Sequence, residues 1–233
     1  MTLTVGSLFS GIGGIDLGLE RAGMNVLWHS EINPYACRVL KKHWPHVSNI
    51  GNITEVDWSN IPYVDVIAGG YPCQPFSLAG KRAGENDPRH LWPYFRDAIS
   101  HLRPRYALLE NVRGHLTLGG ISVIGDLAAL GYDCEWRVIS AASVGANHRR
   151  DRLIIVAYPD KSRLQGRQSA TNSLWQTANR HFRSSGWWQT EPAVGRVADG
   201  IPRRVDRLRG LGNAVVPQVA EVVGRLIVSH ADA

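Results

Sequence analysis

The sequence has few cysteines and no long apolar run. Its three cysteines, Cys37, Cys73 and Cys134, are an odd number without close spacing, which disfavours a disulfide framework and a zinc site. No stretch is apolar and long enough for a membrane span, and no basic, apolar leader precedes the first strand-like segment at Leu3. These features predict a soluble, cytoplasmic protein with no metal and no membrane partner.

The composition is that of a globular protein with an uneven charge distribution. At 233 residues and 44% apolar content, the chain is long enough for one large core and a small further lobe. The segment 158–210 has ten Lys or Arg and four acidic residues, so it carries the whole formal net charge of +6. Aromatic residues lie among these cations: Trp175, His181, Phe182, Trp187 and Trp188. Such a segment is typical of nucleic-acid binding, although a solvated arginine-rich loop has the same charge.

Strand-like and helix-like segments alternate over the first two-thirds of the chain. The predicted strands cover 3–9, 26–30, 64–69, 106–111, 135–140 and 152–157. Helices are predicted after the first strand, from Pro34 to about His43, and over 91–102 and 121–130. This alternation predicts an α/β fold with a doubly wound, largely parallel sheet. From 158 to about 200 the periodicity fades, which predicts a small, irregular second lobe, and an apolar stripe over 219–227 predicts a final helix that packs on the sheet.

The turn after the first predicted strand is a candidate ligand-binding segment. It consists of Phe9, Ser10, Gly11, Ile12, Gly13 and Gly14. Asp16 stands at the third glycine position of a G-x-G-x-x-G pattern, which disfavours a dinucleotide. Glu31 ends the second predicted strand, 20 residues after Gly11, where a carboxylate can accept from both ribose hydroxyls. Without a basic residue for phosphate, the pattern predicts an adenosine ligand that lacks phosphates, such as S-adenosyl-L-methionine.

The segment after the third predicted strand holds a cysteine between two prolines. Pro72 and Pro75 favour a rigid, non-helical loop around Cys73. The preceding strand is predicted to be buried and parallel, so this loop lies at the carboxyl edge of the sheet, where ligands bind. A single cysteine is most often a small buried hydrophobic residue. The setting of Cys73 instead favours a nucleophile.

Two further segments are predicted at the same edge. Glu110 ends the fourth predicted strand, and Arg150 and Arg152 come just before the last one. Glu110 could simply accept backbone donors at a helix start, and the arginines could lie on the surface. Their convergence with Cys73 beside the adenosine-binding turn favours a single site.

Five segments, in this order, resemble the motifs of the DNA (cytosine-5)-methyltransferase family of bacterial or phage type. They are Phe9–Gly14, Pro72-Cys73-Gln74, Glu110-Asn111-Val112, His148-Arg149-Arg150-Asp151-Arg152 and Gly212-Asn213-Ala214-Val215-Val216-Pro217. The resemblance implies a Rossmann-like S-adenosylmethionine-dependent methyltransferase fold. It implies a catalytic domain over 1–157, a short basic target-recognition region over 158–210, and a C-terminal segment over 211–233 that returns to the catalytic domain.

The resemblance also implies a reaction, which is methyl transfer from S-adenosyl-L-methionine to carbon 5 of a flipped-out cytosine in double-stranded DNA. Cys73 would add to carbon 6, Glu110 would act at N3 and the exocyclic amine, and Arg152 would lie near O2. Arg150 or Arg152 would favour the thiolate. The residues implied to surround the cofactor are Phe9, Ser10, Gly11, Ile12, Gly13, Gly14, Glu31, Ile32, Asn52, Ile53, Gly70, Pro72, Leu91, Asn213 and Val215.

Three features differ from the family pattern. Asn52 stands where aspartate is usual, His148 replaces glutamine, and only about forty residues, 158–200, stand where a larger recognition domain is common. Two alternatives therefore stay open, which are cytosine-5 methylation of RNA such as tRNA, and a catalytically decayed DNA-binding regulator. The expected oligomeric state is a monomer, and a cognate restriction enzyme in the same system is a further expected partner.

Overall fold

The computed structural model describes residues 2–72, 91–117, 119–159, 174–175 and 204–232. The strands are β1 (Thr4–Leu8), β2 (Asn25–Ser30), β3 (Ser48–Asn49), β4 (Val66–Gly69), β5 (Tyr106–Val112), β6 (Tyr132–Ile139) and β7 (Arg152–Pro159). The α-helices are α1 (Gly14–Arg21), α2 (Pro34–His43), α3 (Trp92–Leu102), α4 (Gly120–Ala129), α5 (Arg204–Asn213) and α6 (Pro217–Ala231). Short 3-10 helices cover Ile53–Glu55, Trp58–Asn60, Arg113–Leu116 and Ala141–Val144.

Within these ranges, seven strands form one sheet in the order β3-β2-β1-β4-β5-β7-β6. The sheet is parallel from β3 to β5, and β7 runs antiparallel to both β5 and β6. The predicted α/β fold with a doubly wound, largely parallel sheet is confirmed. The strand order reverses between β1 and β4, and the loops that follow neighbouring strands diverge at such a point and leave a crevice. The residues after β1, β2, β4 and β5 therefore share one edge beside this crevice.

Alternate residues of the central strands are buried on opposite faces of the sheet. On β5, Leu108 belongs to the apolar cluster that includes residues of α1 and α6, whereas Leu109 belongs to the cluster with α3 and α4. A strand that is covered on both faces needs a continuous apolar run rather than an alternating one, and Tyr106–Leu109 is such a run. The two helical layers thus hold the strand ends of the carboxyl edge in place.

Two elements are not indicated by the sequence pattern. β3 is only two residues long and both are exposed, so it has no apolar signal. α5 is rich in arginine and glycine, and it crosses the boundary at 210–211 that we predict between the recognition region and the C-terminal segment. Most of the predicted irregular lobe lies outside the described residues. Of its described part, Leu174 is buried in the core, and its N–H donates to Glu135 Oε1 at 2.9 Å.

The C-terminal helix α6 is long and apolar. By length and composition alone, the stretch 205–231 is sufficient to cross a membrane. However, α6 buries seven of its residues, and its apolar side chains belong to the same cluster as α1 and the sheet. Its composition is therefore that of a core helix, as the stripe over 219–227 predicts.

The contact between α1 and α6 requires glycine at the crossing point. A Cβ on Gly18 would lie 2.3 Å from the Pro217 carbonyl oxygen and 2.5 Å from the Ala220 Cβ. We expect Gly18→Ala to lower the free energy of unfolding by about 1–3 kcal/mol, because the two helices must separate. Denaturant titration followed by circular dichroism measures this loss.

A matched control for this substitution lies on α4. A Cβ on Gly125 would meet nothing within 4 Å, so Gly125→Ala should leave stability unchanged or raise it by about 0.5–1 kcal/mol. Equal free energies of unfolding for Gly18→Ala and Gly125→Ala would contradict the close contact between α1 and α6.

Candidate active site

The turn between β1 and α1 has an unusual backbone. Gly11 and Gly13 have φ values of 57° and 82°, and Phe9 has a φ of 52° although it carries a side chain. Left-handed residues other than glycine cost free energy and concentrate at functional sites. A Cβ on Gly13 would lie 2.4 Å from the Trp44 ring, so the turn is packed tightly against the chain that follows α2. Within the turn, the Ser10 hydroxyl donates to the Ser7 carbonyl oxygen at 3.0 Å.

Asp16 is fully buried in the first turn of α1. Its Oδ1 lies 3.2 Å from Nε2 of His29, which is buried on β2. A negative side chain is favoured here by the helix dipole. The position that a dinucleotide-binding pattern reserves for glycine therefore holds a buried pair of polar side chains, in agreement with a ligand that lacks phosphates.

Glu31 follows β2 directly, and its carboxylate accepts three backbone N–H groups. Oε2 accepts from Gly11 at 2.7 Å, and Oε1 accepts from Ile32 at 2.9 Å and from Asn33 at 2.7 Å. A carboxylate has roughly four acceptor positions, so about one is left for a ligand. The carboxylate is therefore held in place by the main chain and can still accept from a ligand hydroxyl. The neighbouring Ile32 side chain is 67% exposed and offers an apolar surface beside the carboxylate.

Asn49 organises the same corner of the site and is missed by the sequence analysis. Its Oδ1 accepts from the backbone N–H groups of Glu31 and Gly51, at 3.0 and 3.1 Å, and its Nδ2 donates to the Glu31 carbonyl oxygen at 2.9 Å. Nothing in the sequence signals this role, since Asn49 follows no apolar run. By tying β3 to the end of β2, Asn49 holds the backbone that carries the Glu31 carboxylate.

The two predicted cofactor residues that follow β3 differ in their surroundings. Asn52 uses its side chain locally, because Oδ1 accepts from the Thr54 N–H at 3.2 Å and Nδ2 donates to Glu55 at 2.8 Å. Ile53 is buried in the apolar cluster on the α3 side of the sheet. Asn52 therefore lies near the edge with a second lone pair still available, whereas Ile53 acts there as core.

The C-terminal segment closes the other side of the β1–α1 turn. A Cβ on Gly14 would lie 2.5 Å from the Val215 carbonyl oxygen, and a Cβ on Gly210 would lie 3.2 Å from Cγ2 of Ile12. Val215 is buried and Asn213 is exposed. The structure thus brings together the first and last of the five sequence motifs, which are about 200 residues apart in the chain.

Glu110 and Arg152 form a largely buried ion pair at the carboxyl edge of the sheet. Glu110 Oε1 lies 2.7 Å from Arg152 Nε, and their side chains are 10% and 19% exposed. Glu110 is directly opposite Ile154 on antiparallel β7, so Arg152, two residues before Ile154, is on the same face and at the same edge. A Cβ on Gly70 would lie 2.5 Å from Glu110 Oε2, so the chain that leads to Cys73 passes close to this carboxylate.

The burial of Glu110 has an electrostatic consequence. Removal from water raises the pKa of its carboxyl above the ordinary value, and the positive charges of Arg152 and Arg150 oppose this shift without cancelling it. A carboxyl group with a raised pKa is suited to hold and donate a proton.

The predicted nucleophile Cys73 lies outside the described residues, but the chain on either side of its loop is described. Pro72 precedes it, and Leu91 immediately precedes α3. The rings of Tyr71 and Trp92 pack at a centroid distance of 5.4 Å, so the described residues on either side of 73–90 meet in one aromatic cluster.

Tyr71 also makes a buried polar contact that the sequence analysis misses. Its hydroxyl lies 2.6 Å from Nε2 of His115, which follows β5, and its carbonyl oxygen accepts from Asn111 Nδ2 at 3.3 Å. These contacts join the chain before Cys73 to the chain after Glu110. No spacing rule predicts them, since the residues are 40 and 44 positions apart.

Arg150 contacts the main chain of the C-terminal segment. Its Nη2 donates to the carbonyl oxygens of Gly212 and Ala214, at 2.7 and 2.6 Å. Arg150 therefore lies between the Glu110–Arg152 pair and the C-terminal segment.

The sequence that forms this arrangement of a glycine turn, a carboxylate after β2 and a buried Glu–Arg pair matches a known protein family. The model of the C-5 cytosine-specific DNA methylases matches residues 3–198. The chain belongs to the C-5 cytosine-specific DNA methylase family. The predicted membership of the cytosine-5 methyltransferases is thus confirmed, and the family consists of S-adenosylmethionine-dependent methyltransferases.

Individual members of this methylase family and of its fold show how far the likeness extends. The chain is 43% identical over 166 residues to the Type II methyltransferase M.Eco47II of Escherichia coli, across 66% of this chain and 39% of that protein. A solved DNMT2 mutant of Spodoptera frugiperda has a TM-score of 0.59 and 27% identity, across 69% of this chain and 51% of that one. The Entamoeba histolytica methyltransferase EhMeth has a TM-score of 0.69 over 99% of both chains, at 16% identity, which shows the fold alone.

The solved structures confirm the predicted Rossmann-like methyltransferase fold. The methylase chain spans about two-fifths to one-half of the length of the curated relatives it matches.

A substitution of Glu31 tests the cofactor side of this site. We expect Glu31→Ala to raise the Kd for S-adenosyl-L-methionine by about 10- to 100-fold, because hydrogen bonds to a charged group contribute about 1.5–3 kcal/mol. Isothermal titration calorimetry measures the change. Glu221→Ala on α6, whose carboxylate pairs with Arg225, is the control and should bind as the wild type does. Equal affinities of all three proteins would rule out Glu31 as a ligand-binding residue.

Proposed function

We propose that this chain transfers a methyl group from S-adenosyl-L-methionine to carbon 5 of cytosine in double-stranded DNA, through a covalent adduct of Cys73 at carbon 6. The observation that carries the proposal is the buried Glu110–Arg152 pair, which lies beside Gly70 and at the same sheet edge as the β1–α1 turn. Membership of the family and the similarity to Type II methyltransferases support it.

The described residues fit the proposed cofactor. When bound, S-adenosyl-L-methionine supplies an electrophilic methyl group on a sulfonium. Glu31 would accept a ribose hydroxyl, and the exposed Ile32 would pack against the base. Gly11 has no Cβ and would let the ligand approach the backbone, whereas the missing Cβ of Gly13 makes room for the Trp44 ring. The other residues proposed around the cofactor are Phe9, Ser10, Ile12, Gly14, Asn52, Ile53, Gly70, Pro72, Leu91, Asn213 and Val215.

Cys73 would solve the main chemical difficulty of the reaction. Carbon 5 of cytosine is a weak nucleophile, so the thiolate first adds to carbon 6 and the electron pair of the 5,6 double bond makes carbon 5 reactive. After carbon 5 has been methylated, a base takes the proton from carbon 5, and the electron pair of that bond re-forms the 5,6 double bond as the bond between sulfur and carbon 6 breaks. Cys73 leaves as the thiolate.

Glu110 and Arg152 would stabilise the charge that the addition pushes into the ring. As electrons move toward N3 and O2, the Glu110 carboxyl donates its proton at N3, and Arg152 lies near O2. Because burial raises the pKa of Glu110, its carboxyl holds the proton that it would donate to a higher pH than an exposed glutamate does.

Substrate access requires the target cytosine to leave the base stack. Neither carbon 5 nor carbon 6 can be reached by these groups in stacked duplex DNA, and flipping a base costs a few kcal/mol. The arginines of the segment 158–210, of which Arg207 on α5 is exposed, would offset this cost by contacting phosphates. We also propose a monomeric, cytoplasmic enzyme of bacterial or phage type, with a cognate restriction enzyme as its partner in the same system.

The decisive assay combines labelled S-adenosyl-L-methionine with duplex DNA of mixed sequence, with tRNA in a parallel reaction. We expect 5-methylcytosine at a defined DNA motif when the product is mapped at base resolution. Label in tRNA alone would overturn DNA as the substrate. Label in neither nucleic acid would overturn the proposed activity of this chain on its own.

A further inference from the structure

Arg150 contacts two residues of the C-terminal segment that follow it by 62 and 64 positions in the sequence. Its Nη2 bonds to the carbonyl oxygens of Gly212 and Ala214, and these two residues flank Asn213. The Arg150 backbone has a φ of 39°, which a residue with a side chain adopts only at a cost in free energy. Two charge-assisted hydrogen bonds compensate for this cost, since such bonds are stronger than neutral ones.

The residues that Arg150 contacts, at the end of α5 and just after it, pack on the β1–α1 turn. The Val215 carbonyl approaches Gly14 so closely that a Cβ there would lie 2.5 Å from the oxygen. The Gly210 carbonyl oxygen accepts from the Ala214 N–H at 3.0 Å, and Gly210 itself packs on Ile12. A displacement of 212–214 would therefore move both contacts with the predicted cofactor loop.

Arg150 and Arg152 have different partners although they are two residues apart. Arg152 bonds directly to the Glu110 carboxylate, whereas the hydrogen bonds of Arg150 go to main-chain carbonyls of the C-terminal segment. Arg150 is still close enough to Glu110 for its charge to act on that carboxyl. Arg150 thus links the residues around Val215, which are proposed to line the cofactor, to the Glu110–Arg152 pair, which is proposed to contact the cytosine.

We infer that Arg150 is a positioning residue that fixes residues 212–215, the end of α5 and the two residues after it, against the β1–α1 turn and so completes one wall of the cofactor site. The inference rests on the proposed function, because it takes the cofactor to bind at the β1–α1 turn. It predicts that Arg150 acts through Asn213 and Val215 rather than on the reacting atoms.

Three variants separate this role from a direct action on the thiolate. Arg150→Met keeps an unbranched apolar stem but is shorter than arginine and cannot donate, whereas Arg150→Lys keeps the charge and a point donor. Arg149→Met is the matched control, since Arg149 is exposed and its main-chain carbonyl accepts from the Ser140 hydroxyl and the Ala141 N–H, contacts that the substitution keeps. Hydrogen exchange of the ligand-free protein over 204–217 and steady-state kinetics are measured for each, with circular dichroism as the check on folding.

For Arg150→Met we expect amide exchange over 210–217 to become about tenfold faster or more, and the KM for S-adenosyl-L-methionine to rise about tenfold or more. We expect kcat to change less than about threefold, Arg150→Lys to be intermediate, and Arg149→Met to match the wild type in exchange and cofactor KM. Unchanged exchange, or a fall in kcat at constant KM, would overturn the positioning role. A wild-type chain that fails to bind cofactor would contradict the proposed function instead, while the exchange data would still decide the contact.

Discussion

Replacement of Cys73 by alanine is expected to abolish methyl transfer, lowering kcat by more than about 10⁴-fold, the scale on which loss of a nucleophile acts. Without the thiolate, carbon 5 of cytosine cannot be made nucleophilic, and no other group among the described residues replaces it. The measurement is the initial rate of label incorporation into duplex DNA at saturating cofactor. Binding of cofactor should be retained.

Cys134 provides the matched control for this result. It is a second free thiol, and burial raises its pKa to about 12, so at neutral pH it is protonated and unreactive. Cys134→Ala should therefore keep the wild-type rate. Duplex DNA with 5-fluorocytosine should trap a covalent complex with the wild type and with Cys134→Ala, and none with Cys73→Ala. A covalent complex that persists in Cys73→Ala would assign the nucleophile elsewhere.

Glu110→Gln is the second substitution with a large expected effect, a loss in kcat of about 10²–10⁴-fold. Glutamine fills the same space beside Gly70 but cannot give up a proton at N3. The Arg152 side chain loses its ionised partner, so the decline combines the missing proton with a displaced cation. Glu221→Gln on α6 changes an acid that pairs with Arg225 and should leave kcat unaltered.

The pH dependence of the reaction tests the same carboxyl group. Burial raises the pKa of Glu110, and Arg152 and then Arg150 lower it by less. The folded protein therefore holds this proton to a higher pH than the unfolded chain does, so its contribution to stability and to proton donation is complete at low pH and is lost as the pH rises through the raised pKa.

Two outcomes follow for the profile of kcat against pH. Arg152→Met removes a charge that lowers the pKa of Glu110, so the descending limb should move to higher pH, although the overall rate falls. In Glu110→Gln the limb should disappear. A limb that stays in place in both variants would show that another group carries the proton.

The edge that carries the site could be predicted because parallel strands end together. Once β1, β2, β4 and β5 were recognised as apolar runs followed by glycine or polar residues, Glu31 and Glu110 had to lie at the same edge as the β1–α1 turn. The position of Arg152 could not follow from that rule. In a parallel strand, a residue at the start of β7 would lie at the opposite edge, and only the antiparallel pairing of β7 with β5 brings Arg152 to Glu110.

Contacts between residues that are distant in the sequence could not be predicted. The mutual placement of loops specifies the contacts of Asn49, of His115 and of Arg150, and no periodicity or spacing encodes that placement. The acceptor capacity of Glu31 is another case, since the spacing locates the carboxylate but only the structure shows how many N–H groups it already accepts.

The pairing of α1 with α6 has a consequence for how the protein is made. Ile15 and Leu19, near the start of the chain, are buried against Val219 and Val223, near its end. Contacts between such distant segments form late, because a long loop must close before they stabilise anything. During synthesis α1 therefore keeps an uncovered apolar face until α6 has left the ribosome. The contact between Gly14 and Val215 forms only then, so a nascent chain truncated before α6 should lack this wall of the proposed cofactor site.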